Sequence, residues 1–151
     1  MSELRDLYQQ VILDHNKSPR NYRALDTATH KADGHNPLCG DKLTVFVEVS
    51  DGRITNATFV GSGCAISTAS ASLMTESLKG KTVAEARELF TTVHELLTAP
   101  DEPEDLSALG KLAVFSGVRE FPMRVKCASL AWHTLKRALD EKVNDGPART
   151  E

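Results

Sequence analysis

Aromatic residues make up only 5% of this 151-residue chain, and it contains just three cysteines. So few aromatics leave little material for a base-stacking platform. A formal net charge of −3 removes the general electrostatic case for nucleic acid, which favours basic surfaces. No stretch approaches the roughly 18 consecutive apolar residues of a membrane-spanning helix. The opening segment MSELRDLYQQVILDHN carries charges throughout, so it lacks the apolar core of a signal peptide. A cytoplasmic location is therefore expected, where thiols stay reduced. An odd number of cysteines also excludes a closed disulfide framework within a monomer.

What is present describes an ordinary globular domain: 40% hydrophobic and 26% charged residues, enough chain for one core without a staple. A single domain is expected over residues 1–143, with a flexible C-terminal tail over 144–151. Nothing forces a dimer, and a monomer is expected.

Leu4, Leu7, Tyr8, Val11 and Ile12 recur at helical spacing, and Pro19 ends that helix because it disfavours helical geometry at Ser18. Residues 22–38 show no clear period and read as a loop, although a further strand could lie there. From Leu43 the pattern alternates: Leu43, Val45, Val47 and Val49 on one face, Thr44, Phe46 and Glu48 on the other. The SDG at 50–52 signals a hairpin into RITNATFVGS. A glycine-rich turn then leads into a helix of small residues that closes at Gly80. Thr82 and Glu85 form a capping box for a helix whose core face is Ala86, Leu89, Phe90, Val93 and Leu97. TAPDEPED is an acidic loop, and GKLAVFSGVREFP carries no assignable pattern. Pro122 starts the last helix, with Leu130, Trp132, Leu135 and Leu139 toward the core. Strands grouped early among helices imply an α+β domain.

Chemistry centres on the thiols. Cys39 lies where a loop enters a strand, two residues before Asp41. Cys64 follows GSG at a helix start, and Cys127 lies near the start of the final helix beside Arg124 and Lys126. Helix N-termini and neighbouring cations favour thiolates, which suggests a metal site. The spacing itself allows a plainer reading, in which three free cysteines fill small spaces. There is no CxxC pair, and separations of 25 and 63 residues match no zinc-finger pattern. Three thiolates and a carboxylate would complete a tetrahedral zinc site if the fold gathered them. Among rival ligands, His35 lies four residues before Cys39. His133 sits about 120° around the helix from Cys127, at roughly 100° per residue, and cannot easily share a metal with it. His15, His30 and His94 have no cysteine nearby and suit surface or structural roles. GSGC lacks the spacing of a phosphate loop, and Arg124 and Lys126 are equally readable as solvated helix charges.

Four segments together, LYQQVILDHNKSPRN, NPLCGD, GSGCAISTASASLMTE and FPMRVKCASLAWHTL, resemble the IscU/NifU-type family of iron–sulfur cluster assembly proteins, and within it the SufU branch. The resemblance spans residues 3–142 in order. It implies an α+β fold with a small antiparallel three-stranded sheet packed against several helices. It also implies a metal site of Cys39, Asp41, Cys64 and Cys127 at one exposed end. IscU-type scaffolds carry histidine immediately before the third cysteine; Lys126 stands there in this chain. The segment between Cys64 and Cys127 is also longer than in IscU. Both features point to the SufU branch, whose members bind Zn2+ and accept persulfide sulfur from a SufS-type cysteine desulfurase before it reaches downstream cluster-assembly proteins. The resemblance thus implies a zinc-dependent sulfurtransferase with Cys39 as acceptor. The alternative is an iron-binding scaffold that builds a [2Fe–2S] cluster on the same four residues. In either case Gly40, between two ligands, leaves the backbone permissive, and a carboxylate ligand is more exchangeable than a thiolate.

Overall fold

Leu43, Val45 and Val47 alternate with more exposed residues along the strand Asp41–Ser50, and their side chains are buried. This strand is the centre of the fold. The computed structural model describes residues 2–36, 40–99, 107–119 and 121–140. In chain order the elements are α1 (Ser2–Lys17), β1 (His30–Asn36), β2 (Asp41–Ser50), β3 (Arg53–Ser62), α2 (Ala65–Leu78), α3 (Val83–Thr98), a 3₁₀ segment (Ser107–Gly117) and α4 (Pro122–Asp140). The three strands form one antiparallel sheet in the order β1-β2-β3. This is the expected α+β arrangement.

The β2–β3 turn uses Asp51 and Gly52, both at positive φ, the conformation that a tight two-residue hairpin requires. Strand β1 corrects the loop reading of residues 30–36. Its sequence, HKADGHN, has almost no apolar alternation, yet it pairs with β2 from His30 opposite Val47 to Asn36 opposite Asp41. Tertiary contact supplies what the sequence lacks. A Cβ on Gly34 would meet the Thr134 hydroxyl at 1.9 Å, so the missing side chain lets α4 lie directly against this strand.

Helix α2 packs between α1 and α4 through small side chains. Ala69, Ser70, Ala71 and Ser72 are buried. Ser70 donates to the Ala128 carbonyl at 2.6 Å and receives the Trp132 indole N–H at 3.2 Å. On the opposite side Ser72 Oγ lies 2.7 Å from Nδ1 of the buried His15 and accepts the Arg20 N–H. The core face expected for α3 is present: Ala86, Val93 and Leu97 are buried, and Leu89 and Phe90 pack at its edge. Leu96 is buried as well. The unassigned stretch after the acidic loop is 3₁₀ in type and bends at Gly110. Pro122 opens α4 as expected, and Trp132, Leu135 and Leu139 join the core. Among the described residues no helix is long and apolar enough to cross a membrane.

Candidate metal centre

Strand β2 begins two residues earlier than its apolar run suggests. Asp41 therefore occupies the next inward position in the row Leu43, Val45, Val47, and it is completely buried. A carboxylate in a core position must find partners. The start of α2 provides one: the Cys64 N–H donates to Asp41 Oδ1 at 2.9 Å, and the Cys64 thiol faces Oδ2 at 3.9 Å. Cys64 is also the N-cap of α2, where its sulfur accepts the Ser67 N–H at 3.4 Å. Cys64 is exposed and Cys127 is buried. The ligand atoms of Asp41, Cys64 and Cys127 all lie within 4.8 Å of one another.

That spacing suits a tetrahedral metal. Sulfurs bound about 2.3 Å from zinc stand about 3.8 Å apart, so only a small inward movement would close the site. Two thiols and a carboxylate are a donor set that zinc accepts and that iron–sulfur chemistry also uses. The fourth expected ligand, Cys39, lies outside the described residues.

Two details of the sequence reading change. The final helix starts at Pro122, so Cys127 is its sixth residue and lies beyond the first turn. Only the first four N–H groups of a helix lack partners, so helix-terminus assistance applies to Cys64 and not to Cys127. His35, the rival ligand, is exposed on β1 opposite Lys42 and lines a polar cleft with Asp33, Thr44 and Arg137. It is not part of the Asp41–Cys64–Cys127 group. His133 is elsewhere too: its ring meets Phe90 at 5.4 Å and His94 at 5.6 Å. Burial, followed by the electrostatic influence of the neighbouring His94 and Lys136 side chains, lowers the His133 pKa. Lys126 and Arg124 are exposed on α4, with Arg124 stacked over the Phe121 ring.

The sequence reading did not single out Ser67, whose N–H reaches the Cys64 sulfur. Its signal was present, since a residue three past an N-cap is the usual partner of that cap. Beside Cys64, Ala65 and Ile66 border an apolar groove of about 320 Å³ whose walls include Leu13 and Phe121. Leu13, Phe121 and Met123 are among the few large apolar side chains left exposed among the described residues.

Residues 7–140 match the NifU-like N terminal domain family. The chain belongs to that family. Relatives that span nearly its whole length agree. It is 37% identical over 144 residues to the iron–sulfur cluster assembly scaffold protein IscU of Streptococcus pyogenes, covering 95% of this chain and 89% of that one. It is also 37% identical over 138 residues to the zinc-dependent sulfurtransferase SufU of Bacillus subtilis, covering 91% and 92%. Among solved structures, a candidate SUF-system cluster assembly scaffold protein from Fervidobacterium islandicum superposes with a TM-score of 0.80 at 35% identity, covering 86% and 94%. The three-stranded antiparallel sheet packed against several helices is thus the fold of its structural neighbours.

Proposed function

We propose that this NifU-like protein works in iron–sulfur cluster assembly as a zinc-dependent sulfur acceptor for a SufS-type cysteine desulfurase. The observation that carries the reading is the convergence of Asp41, Cys64 and Cys127, which come from three separate elements, within 4.8 Å. The B. subtilis relative named as a zinc-dependent sulfurtransferase supports it. So does Lys126, whose ammonium has no lone pair for a metal, at the place where IscU-type scaffolds carry histidine.

In this reading Asp41, Cys64, Cys127 and Cys39 hold the ion. Bound zinc supplies a redox-inert cation that keeps the thiols deprotonated. The chain's own groups do the rest. Cys39, released as a thiolate, attacks the outer sulfur of the desulfurase persulfide. A new S–S bond forms on Cys39, the donor S–S bond breaks, and the donor cysteine leaves as a thiolate. Asp41, Cys64 and Cys127 keep the site assembled meanwhile. The apolar groove beside Cys64 offers a protein donor a surface to press against, and the sulfur then passes to downstream cluster-assembly proteins.

The S. pyogenes relative, named as a scaffold, favours a second reading in which the same residues hold an iron–sulfur cluster. Aerobic metal content separates the two: colourless protein with one zinc per chain fits transfer, and a brown chromophore fits scaffolding. The direct test is desulfurase turnover with and without this protein, followed by mass analysis. Acceleration with one added sulfur on Cys39 is expected. No acceleration, or sulfur found only on Cys64 or Cys127, would overturn the assignment.

A further inference from the structure

Gly63 has no special backbone conformation to explain it, since its φ lies outside the left-handed range that only glycine readily adopts. What excludes a side chain there is the carboxylate. A Cβ on Gly63 would stand 2.7 Å from Asp41 Oδ1 and 3.1 Å from Asp41 Cγ, and 3.2 Å from Ser67 Oγ. Contacts under 3.0 Å require something to shift, and Asp41 has little freedom to do so. It sits fully buried at the start of β2, with Oδ1 engaged by the Cys64 N–H.

We infer that Gly63 is a positioning residue for the metal centre, and that it makes Asp41 the fixed ligand of the set. This rests on the metal-binding reading above and deepens it. The Cys64 amide holds Oδ1 in place, which turns Oδ2 toward the Cys64 sulfur and leaves it available to an ion. Hydrogen bonds to a ligating carboxylate orient it in this way, and losing such support costs about 10- to 100-fold in metal affinity. A carboxylate tied to a helix start cannot readily swing away.

The test is a double-mutant cycle on zinc affinity, read by competition with a chromophoric chelator. Gly63→Ala should weaken zinc binding by about 10- to 100-fold while circular dichroism shows a folded protein. In an Asp41→Ala background, where no carboxylate remains to be displaced, the same Gly63→Ala change should have almost no further effect. Wild-type affinity in Gly63→Ala would overturn the proposal. Equal losses in both backgrounds would also overturn it, because Gly63 would then act without Asp41. Amide hydrogen exchange at Cys64 in the metal-free protein provides a readout independent of zinc. Exchange should be slow in the wild type and faster in both Gly63→Ala and Asp41→Ala; unchanged exchange in Gly63→Ala would overturn the proposal. If the wild type binds no zinc but shows these exchange differences, the metal reading fails while the positioning role stands.

Discussion

Helices α2 and α3 begin with the same arrangement made from different materials. At α3, the Thr82 hydroxyl accepts the Glu85 N–H at 3.1 Å and the Glu85 carboxylate accepts the Thr82 N–H at 2.9 Å. At α2, the Cys64 sulfur accepts the Ser67 N–H, and a carboxylate again accepts the N-cap N–H. That carboxylate belongs to Asp41, 23 residues earlier in the sequence. The α3 cap is local and exposed, with both partners within four residues of each other. The α2 cap is assembled across the fold, and a weak sulfur acceptor replaces the hydroxyl that helix starts prefer. The difference shows what the α2 start gives up: some capping strength, in return for a thiol and a carboxylate whose ligand atoms lie within 4.8 Å of the Cys127 sulfur.

Breaking each cap should therefore have opposite consequences. The largest effect is expected from Cys64→Ser. Dividing the ~10–16 kcal/mol of a structural zinc site among four ligands gives about 3 kcal/mol each, or roughly 100-fold in affinity. Serine is the better cap, so the metal-free protein should be as stable as the wild type or up to about 1 kcal/mol more stable. Cys127→Ser should lose a comparable amount of zinc affinity without gaining a cap. Chelator competition and denaturant unfolding of the metal-free proteins measure the two quantities. A drop in the metal-free stability of Cys64→Ser would contradict the idea that its thiol is a compromised cap.

Thr82→Ala is the converse experiment. It should cost about 1 kcal/mol of stability, a fall of about 2–4 °C in melting temperature for a chain of this size, with zinc affinity within about twofold of wild type. A large loss of zinc affinity in this variant would mean that the two helix starts are coupled, which the comparison denies.

A smaller effect tests how α2 is held at its middle, where Ser72 meets His15. Burial and the nearby Arg20 cation lower the His15 pKa, and Glu76 opposes them only in part. The unfolded chain takes up its proton near pH 6.5, before the folded chain does, so stability is lost as pH falls through that value. Unfolding of metal-free protein at pH 7.5 and 5.5 should show the decline, and His15→Gln should reduce it. An identical decline in His15→Gln would assign the acid sensitivity to other groups.

The smallest effect concerns the local cap. The Thr82 backbone N–H holds the Glu85 carboxyl below its ordinary pKa of 4.5. Its contribution is present above pH 4.5 and fades as pH falls through the lowered folded-state value. Glu85→Gln should shallow the acid limb of the stability curve without altering zinc binding.

Which parts of this were legible in the sequence follows the same division between local and long-range. The Thr82–Glu85 cap was readable because both partners lie within four residues. The inward row of β2 was readable from Leu43, Val45 and Val47, and stepping back two residues along it reaches Asp41. What that step could not reveal is the Cys64 amide that meets Asp41, because only the folded sheet brings them together. Strand β1 was hidden for a related reason. Histidine, aspartate, glycine and asparagine have little strand preference, and it is pairing with β2 and the close approach of α4 at Gly34 that make this segment a strand. Cys127 was read as near its helix start, although the Pro122 start that the sequence itself suggested already puts it sixth in α4, beyond the first turn. The four-ligand set as a whole came from family resemblance rather than from spacing, and its Cys39 member lies outside the described residues.

Trp132 is the only tryptophan in the chain, and its indole N–H rests on the same Ser70 hydroxyl that binds the Ala128 carbonyl, one residue past Cys127. The protein thus contains its own fluorophore at the seam between the helices that carry Cys64 and Cys127. Any parting of that seam would hydrate the indole and move its emission to longer wavelength. The parting of these two helices can therefore be followed by light, with no label attached and no partner present.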